Sequence, residues 1–295
     1  MKKILLTIVA VGFVLFAYQA NAAEIIPYGS FNYKWSNDEN SSGKSYSKLE
    51  DNGSSIGVEV IDLGAEGDTI TGFAKLEVGV DTDDSGSDTF DSKLAYVGLD
   101  SNMGQLSVGR QSHPFTDNIG GKTSIFNVYG GGSDWNYGSR SSNSMKFSTT
   151  QSGLTLDTIG IVDGSSTNTN AFDEFEVTIS TKLLGSDISV GYADDVNSDI
   201  SYWGVAGSTD LGPLTVSSSY TIYDAATDKY GLEATASYSI FSVGYGDKEG
   251  TGVAYTAGVS HDLNESVSVY AEGEMKDLDS GSDTTSWSIG SKFTF

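Results

Sequence analysis

The sequence predicts an all-β protein, an antiparallel transmembrane β-barrel of about sixteen strands. Three observations lead there. Hydrophobicity alternates with period two along nearly all of the chain after Ala23. The connections between alternating runs are tight and long in turn. The apolar rows carry aromatic residues near their ends, while the opposite rows carry Glu and Lys midway. Outward lipid and inward water fit this pattern. A sandwich with an apolar interior does not.

The elements follow in order. Lys2 and Lys3 precede an apolar run from Ile4 to Ala17, and Ala20-Asn21-Ala22 supplies small residues for cleavage. Residues 1–22 therefore read as a signal peptide, with a single barrel over 23–295. Strands are predicted to start at residues 25, 54, 69, 89, 104, 140, 153, 172, 186, 199, 213, 228, 240, 251, 265 and 284. Ile70, Ala74, Leu76 and Val78 oppose Thr71, Lys75 and Glu77. Phe175, Val177 and Ile179 oppose Glu174, Glu176, Thr178 and Lys182. Leu214, Val216, Tyr220 and Ile222 oppose Thr215, Ser217, Ser219 and Thr221, and Val267, Val269, Ala271 and Met275 oppose Tyr270, Glu272 and Glu274. Such rows are strands with one apolar and one polar face. Leu183–Ser186, Asp210–Gly212 and His261–Asn264 read as tight turns; 81–88, 163–170 and 277–283 read as longer acidic loops. In a bilayer every backbone polar group must find a partner within the protein, so strands can span only in a closed sheet. The last strand, with Trp287, Ile289, Phe293 and Phe295 on its apolar row, is expected to close the sheet, with Phe295 as its final rung.

Composition bounds the function. The formal net charge of −24 argues against nucleic acid as a partner. There is no Cys, so neither disulfides nor thiolate metal sites are available. With 16 Tyr, 13 Phe and 4 Trp the chain is too aromatic to be a solvated coil. No later segment is apolar enough for a helical span.

Several stretches resemble the Gram-negative general porin family. Ala95-Tyr96-Val97-Gly98-Leu99 followed by Gln105–Gln111 is similar to the strand pair before that family's constriction loop. Arg140–Phe147 is similar to the strand after it; Ser54–Gly57 and Phe73–Glu77 are similar to the second and third strands. The resemblance implies a sixteen-stranded barrel, usually a homotrimer, whose third outer loop folds inward, and passive diffusion of small hydrophilic solutes. Here that loop is about 112–139. The resemblance also implies a constriction. Arg110 and Arg140, the only arginines, flank the loop, which holds Asp117, Lys122 and Asp134. Lys75 and Glu77 stand on a neighbouring polar row. Opposed charges across a narrow, low-dielectric gap would set up a transverse field. The family pattern has a basic residue where Ser55 stands and another near Glu59, so the basic wall here is thinner. Strict alternation sets Arg110 on the row of Leu106 and Val108, and a bulge is needed to turn it inward. The terminal Phe295, Phe293, Ile289 and Trp287 resemble the signal read by the outer-membrane assembly machinery. Outer-membrane lipid and lipopolysaccharide are the implied surroundings.

No cofactor motif or metal-ligand set is legible. Asp81-Thr82-Asp83-Asp84-Ser85-Gly86 opens like a calcium loop, but Ser92 stands where Glu is required, so it reads as a loop tip. Tyr28, Trp35, Trp203, Tyr220, Tyr238, Phe241, Tyr270 and Trp287 read mainly as interfacial girdles, although Phe73, Tyr223 and Tyr270 point inward by alternation. Mild cation preference follows from the acidic loops. Two other classes share some features. A secreted soluble adhesin binding calcium or glycans would explain export and acidity, but needs a short repeat that is absent. A barrel hydrolase needs a histidine beside a nucleophile; His113 lies in the inferred loop and His261 in an inferred turn.

Overall fold

The computed structural model describes residues 23–65, 67–83, 89–135, 138–162, 171–196, 198–224 and 227–295. Residues 1–22, read above as a signal peptide, the second half of the calcium-like motif (84–86) and the acidic stretch 163–170 lie outside these. The strands are β1 (Glu24–Glu39), β2 (Ser45–Asp51), β3 (Ser55–Leu63), β4 (Ile70–Val80), β5 (Phe90–Ser101), β6 (Gly104–Ser112), β7 (Arg140–Gln151), β8 (Leu154–Ile161) and β9 (Glu174–Leu183). There follow β10 (Ser186–Asp195), β11 (Ile200–Leu211), β12 (Leu214–Asp224), β13 (Lys229–Tyr238), β14 (Phe241–Lys248), β15 (Gly252–Asn264), β16 (Val267–Leu278) and β17 (Thr284–Thr294). A short helix α1 (Pro114–Asn118) and a 3-10 turn (Gly120–Lys122) lie between β6 and β7.

Chain neighbours pair antiparallel, and β17 pairs back onto β1, with Phe31 opposite Phe293 and Trp35 opposite Ile289. Gly29 and Phe295 exchange both backbone hydrogen bonds, N–H to O distances 3.0 and 3.1 Å. The sheet is thus a closed barrel. β1 pairs with β2 along its second half and with β3 along its first, so β2 and β3 are one interrupted spanning strand and the barrel has 16 strands. The interruption is local turn chemistry. Asp51 Oδ1 accepts from the N–H of Gly53 (2.7 Å) and of Ser54 (2.9 Å), and Gly53 takes φ +84°.

Strand starts fall within two residues of those read from the sequence. Two readings are corrected. The upper half of the second strand, β2, was not anticipated; its run Ser45–Asp51 has little alternation. His261 is not in a turn but in β15 opposite Val269, and the turn comes later, at Glu265-Ser266.

Burial runs opposite to that of a soluble protein. On β12 Ser217, Ser219 and Thr221 are 4%, 2% and 0% exposed, while Tyr220 between them is 40% exposed. The small polar row is covered and the apolar row is bare, as expected for a sheet solvated by lipid. Trp35, Trp203, Tyr238, Phe241, Trp287 and Phe295 are all exposed. Trp35 and Trp287 meet edge to face across the β1–β17 seam, centroids 5.1 Å apart. Tyr28 and Tyr270 depart from this girdle. Tyr28 donates to Glu77 Oε2 (3.0 Å), and the buried Tyr270 donates to Asn32 Oδ1 (2.8 Å), both on the polar face.

Candidate functional site

The long connection 113–139 is bound along the polar rows of β8 to β16 and of β1. Its first turn is specified locally. His113 is extended, Pro114 occupies the first helical turn, and the Phe115 N–H donates to Glu176 Oε2 at 2.9 Å. Phe115 and Ile119, both under 2% exposed, pack with Ala193, Tyr202 and Ala206. Space for them comes from Gly191 and Gly204, paired across β10 and β11. A Cβ at Gly204 would lie 2.8 Å from Phe115 Cζ and 2.9 Å from Ile119 Cγ2. Phe126 fills the space over Gly244 in the same way. Trp135 stacks on Tyr223 (4.9 Å) beneath Lys248 Nζ (4.3 Å).

Buried wall glutamates hold the backbone of this segment. Glu272 accepts four hydrogen bonds: Asn127 N–H (2.6 Å) and Nδ2 (3.0 Å) on Oε1, Val128 N–H (2.9 Å) and Tyr129 N–H (3.2 Å) on Oε2. Glu274 Oε2 accepts from Gly130 N–H (3.2 Å). Glu233 accepts from Ser133 N–H (2.9 Å) and Thr123 Oγ1 (2.7 Å). An irregular segment has no ladder of its own, and carboxylates are strong acceptors for its N–H groups. The far end reaches β1, where Tyr129 donates to Asp38 (2.8 Å). Burial of Tyr129, and then this contact, hold its hydroxyl above the usual range.

At the base of the segment His113, Glu174 and Glu176 are 0%, 2% and 0% exposed. His113 Nδ1 lies 2.6 Å from Glu176 Oε1 and 3.4 Å from Glu174 Oε1; Nε2 lies 2.8 Å from Ser141 Oγ. Burial alone would lower the imidazole, but the two facing carboxylates, Glu174 and Glu176, outweigh it and raise His113 to about 9. His113, in the loop as inferred, does meet a hydroxyl: Ser141, His113 and Glu176 have the contacts of a relay. A ring held cationic by two carboxylates is, however, a poor base for the serine proton.

The charges read from the sequence are distributed differently. Arg110 is not on the polar row. The bulge near it is on β7, at Asn143 (φ +56°), so Arg110 stays with Leu106 and Val108 and bonds Ser92 O (3.1 Å) and Ser142 Oγ (3.3 Å). Arg140, opposite Ser112, is exposed, and among the described residues neither arginine forms an ion pair with Asp117 or Asp134. Asp134 is 5% exposed and accepts from Ser219 Oγ (2.8 Å). Burial, then the nearby Glu233, pushes its carboxyl up to about 6. Lys122 sits in the 3-10 turn. Asp117 meets Lys146 Nζ at 3.7 Å. Lys75 pairs with Glu59 (3.2 Å) rather than Glu77, whose cation is Lys93 (3.9 Å). With Lys34 on Glu50 (3.4 Å), three lysine–carboxylate pairs lie on the polar rows of β1 to β5, and the fourth joins Lys146 of β7 to Asp117 of α1. Lys34, Lys93 and Lys146 and the clamping glutamates were missed as site residues. The available signal was the presence of long charged side chains in rows otherwise of Ser, Thr and Gly.

Comparison with known proteins places this geometry. The structure is similar to OmpT of Vibrio cholerae, an outer membrane protein, in its trimer form (TM-score 0.75, 15% identity, 93% of this chain and 100% of that one). It is similar to Salmonella typhi OmpF in complex with daunomycin (0.74, 17%, 92% and 97%) and to a triple mutant of Rhodopseudomonas blastica porin (0.63, 18%, 92% and 100%). No curated protein sequence matches. The family model for Gram-negative porins matches residues 7–291, and the chain therefore belongs to that family, as an outer-membrane porin.

Proposed function

We propose that the protein is a non-enzymatic, passive diffusion channel for small hydrophilic solutes and ions, with 113–139 as its constriction loop. The observation that carries this is the loop's set of partners. One segment is bonded to polar rows on β1, β9, β12, β13 and β16 of a closed barrel, which supports a loop folded into its interior. In this reading the loop lies mainly against β8 to β16, touches β1 and β7 at its ends, and leaves the passage beside the lysine pairs of β1 to β5. Those pairs are close to charge balance, so the acidic outer loops set the bias, toward mild cation preference. The lysines, with Asp117 and Glu77, replace the arginine wall as the proposed constriction charges. A homotrimer is in keeping with the trimeric form of the Vibrio protein. Residues 1–22 act as the signal peptide; the terminal Phe295, Phe293, Ile289 and Trp287 engage the assembly machinery, with lipid and lipopolysaccharide around the exposed girdle.

The test is a planar bilayer. Detergent-purified, heat-modifiable protein is expected to give large conductance steps, in threes for a trimer, and a cation-side reversal potential in a salt gradient. Absence of conductance from the correctly folded barrel would overturn the channel reading; an anion-side reversal would overturn only the selectivity.

A further inference from the structure

We propose that His113, Glu174 and Glu176 bind a divalent transition-metal ion of the zinc class, which ties the base of the 113–139 segment to β9. The three side chains are buried, and their nitrogen and carboxylate donors all lie within 4.8 Å of one another. Glu174 supplies the independent observation. Both its carboxylate oxygens are buried without a hydrogen-bond partner, although Glu174 is only 2% exposed. Among the described residues its ion-pair contact is His113 Nδ1 at 3.4 Å, and that nitrogen makes its shorter bond to Glu176. Two carboxylates against one imidazole leave the cluster net negative even when the ring is protonated, and burying such a charge is costly unless a cation joins it.

The geometry suits the ion. Zinc–nitrogen and zinc–oxygen bonds of about 2.0–2.2 Å place tetrahedral donors roughly 3.4 Å apart. The Nδ1–Glu174 separation is already 3.4 Å, and the Nδ1–Glu176 separation of 2.6 Å needs only to open slightly. A ligating histidine commonly donates its other ring N–H to a fixed acceptor, and Ser141 Oγ stands 2.8 Å from Nε2 in that role. Binding releases the Nδ1 proton, so uptake rises with pH. Glu176 Oε2 keeps its bond to the Phe115 N–H, so the ion adds to the anchoring of α1 without displacing it.

The experiment uses full-length, untagged, detergent-folded protein, stripped with chelator and titrated with zinc chloride. One equivalent per chain is expected, with affinity reduced at least tenfold in Glu174→Gln. Glu174 bonds no part of the 113–139 backbone in the structure, so this variant is expected to keep heat-modifiability. The chain has 2 His. In His261→Ala, zinc X-ray absorption showing one imidazole therefore assigns the ligand to His113 even if Glu174→Gln does not fold. No stoichiometric uptake by the wild type, unchanged uptake by Glu174→Gln, or a shell without imidazole overturns the proposal. A zinc-free wild type with a protonated-carboxyl infrared band that vanishes in Glu174→Gln also overturns it, and makes a shared proton the occupant.

Discussion

Replacing Glu272 by Gln tests how the segment is held. The side chain keeps its shape and its 6% exposure. Its carboxylate accepts two hydrogen bonds on each oxygen, three of the four from backbone N–H groups of 127–129. An amide offers one accepting oxygen. Its NH2 would point two hydrogens at two donors, so one pair of bonds is lost and the other loses its charge assistance. Hydrogen bonds to a charged group contribute about 1.5–3 kcal/mol each, and water in the lumen recovers part of a loss. A net weakening of about 3 kcal/mol is then expected, or roughly a hundredfold in the docked-to-undocked ratio. The barrel ladder is untouched, so heat-modifiability is expected to persist. Single-channel recordings are expected to show excess open-channel noise and a higher mean conductance, with faster proteolysis near 127–130. Wild-type noise, conductance and protease resistance in a folded Glu272→Gln barrel would refute the clamp.

Other outcomes follow from the same geometry. Gly204→Leu cannot coexist with docked Phe115 and Ile119, since even a Cβ lies under 3.0 Å from each; increased proteolysis near 115–119 with an intact barrel is expected. Arg110→Ala is expected to leave the reversal potential unchanged because Arg110 stands on the apolar row, whereas Lys146→Ala removes Asp117's partner and is expected to shift it further to the cation side. Equal shifts would place Arg110 in the lumen after all. Asp134, raised from 3.8 to about 6 in the docked state, binds its proton more tightly there than when undocked. Its charge therefore opposes docking fully above about 6, and docking strengthens as pH falls from there toward 3.8. Amide exchange in 132–135 is expected to slow over that window in the wild type and to lose this dependence in Asp134→Asn.

Much of the barrel was legible because its signal is local. Side chains alternate with period two, the bilayer imposes opposite demands on the two rows, and turns separate strands of similar length. Strand starts and the pairing of Phe295 at the seam followed from that. β2 escaped because Asp51-Asn52-Gly53 breaks the alternation within one spanning strand. The site was less legible because its contacts join residues far apart in the chain. Glu272 reads as one more polar-row residue until the segment's N–H groups, about 145 residues earlier, come to lie on it. Likewise Gly191 and Gly204 look like weak spots in strands until Phe115 and Ile119 occupy them.

The sequence by itself determined a membrane-spanning barrel, its closing seam and the place of its long connection, since these depend on pattern and on backbone bonding between neighbours. Only the tertiary structure decided which charges meet. A one-residue bulge on β7 left Arg110 on the lipid row, and closure brought the lysines of β1, β4, β5 and β7 to one wall and the glutamates of β9, β13 and β16 to the other. Charge pairing depends on distance across the barrel, and that distance exists only once the sheet has closed.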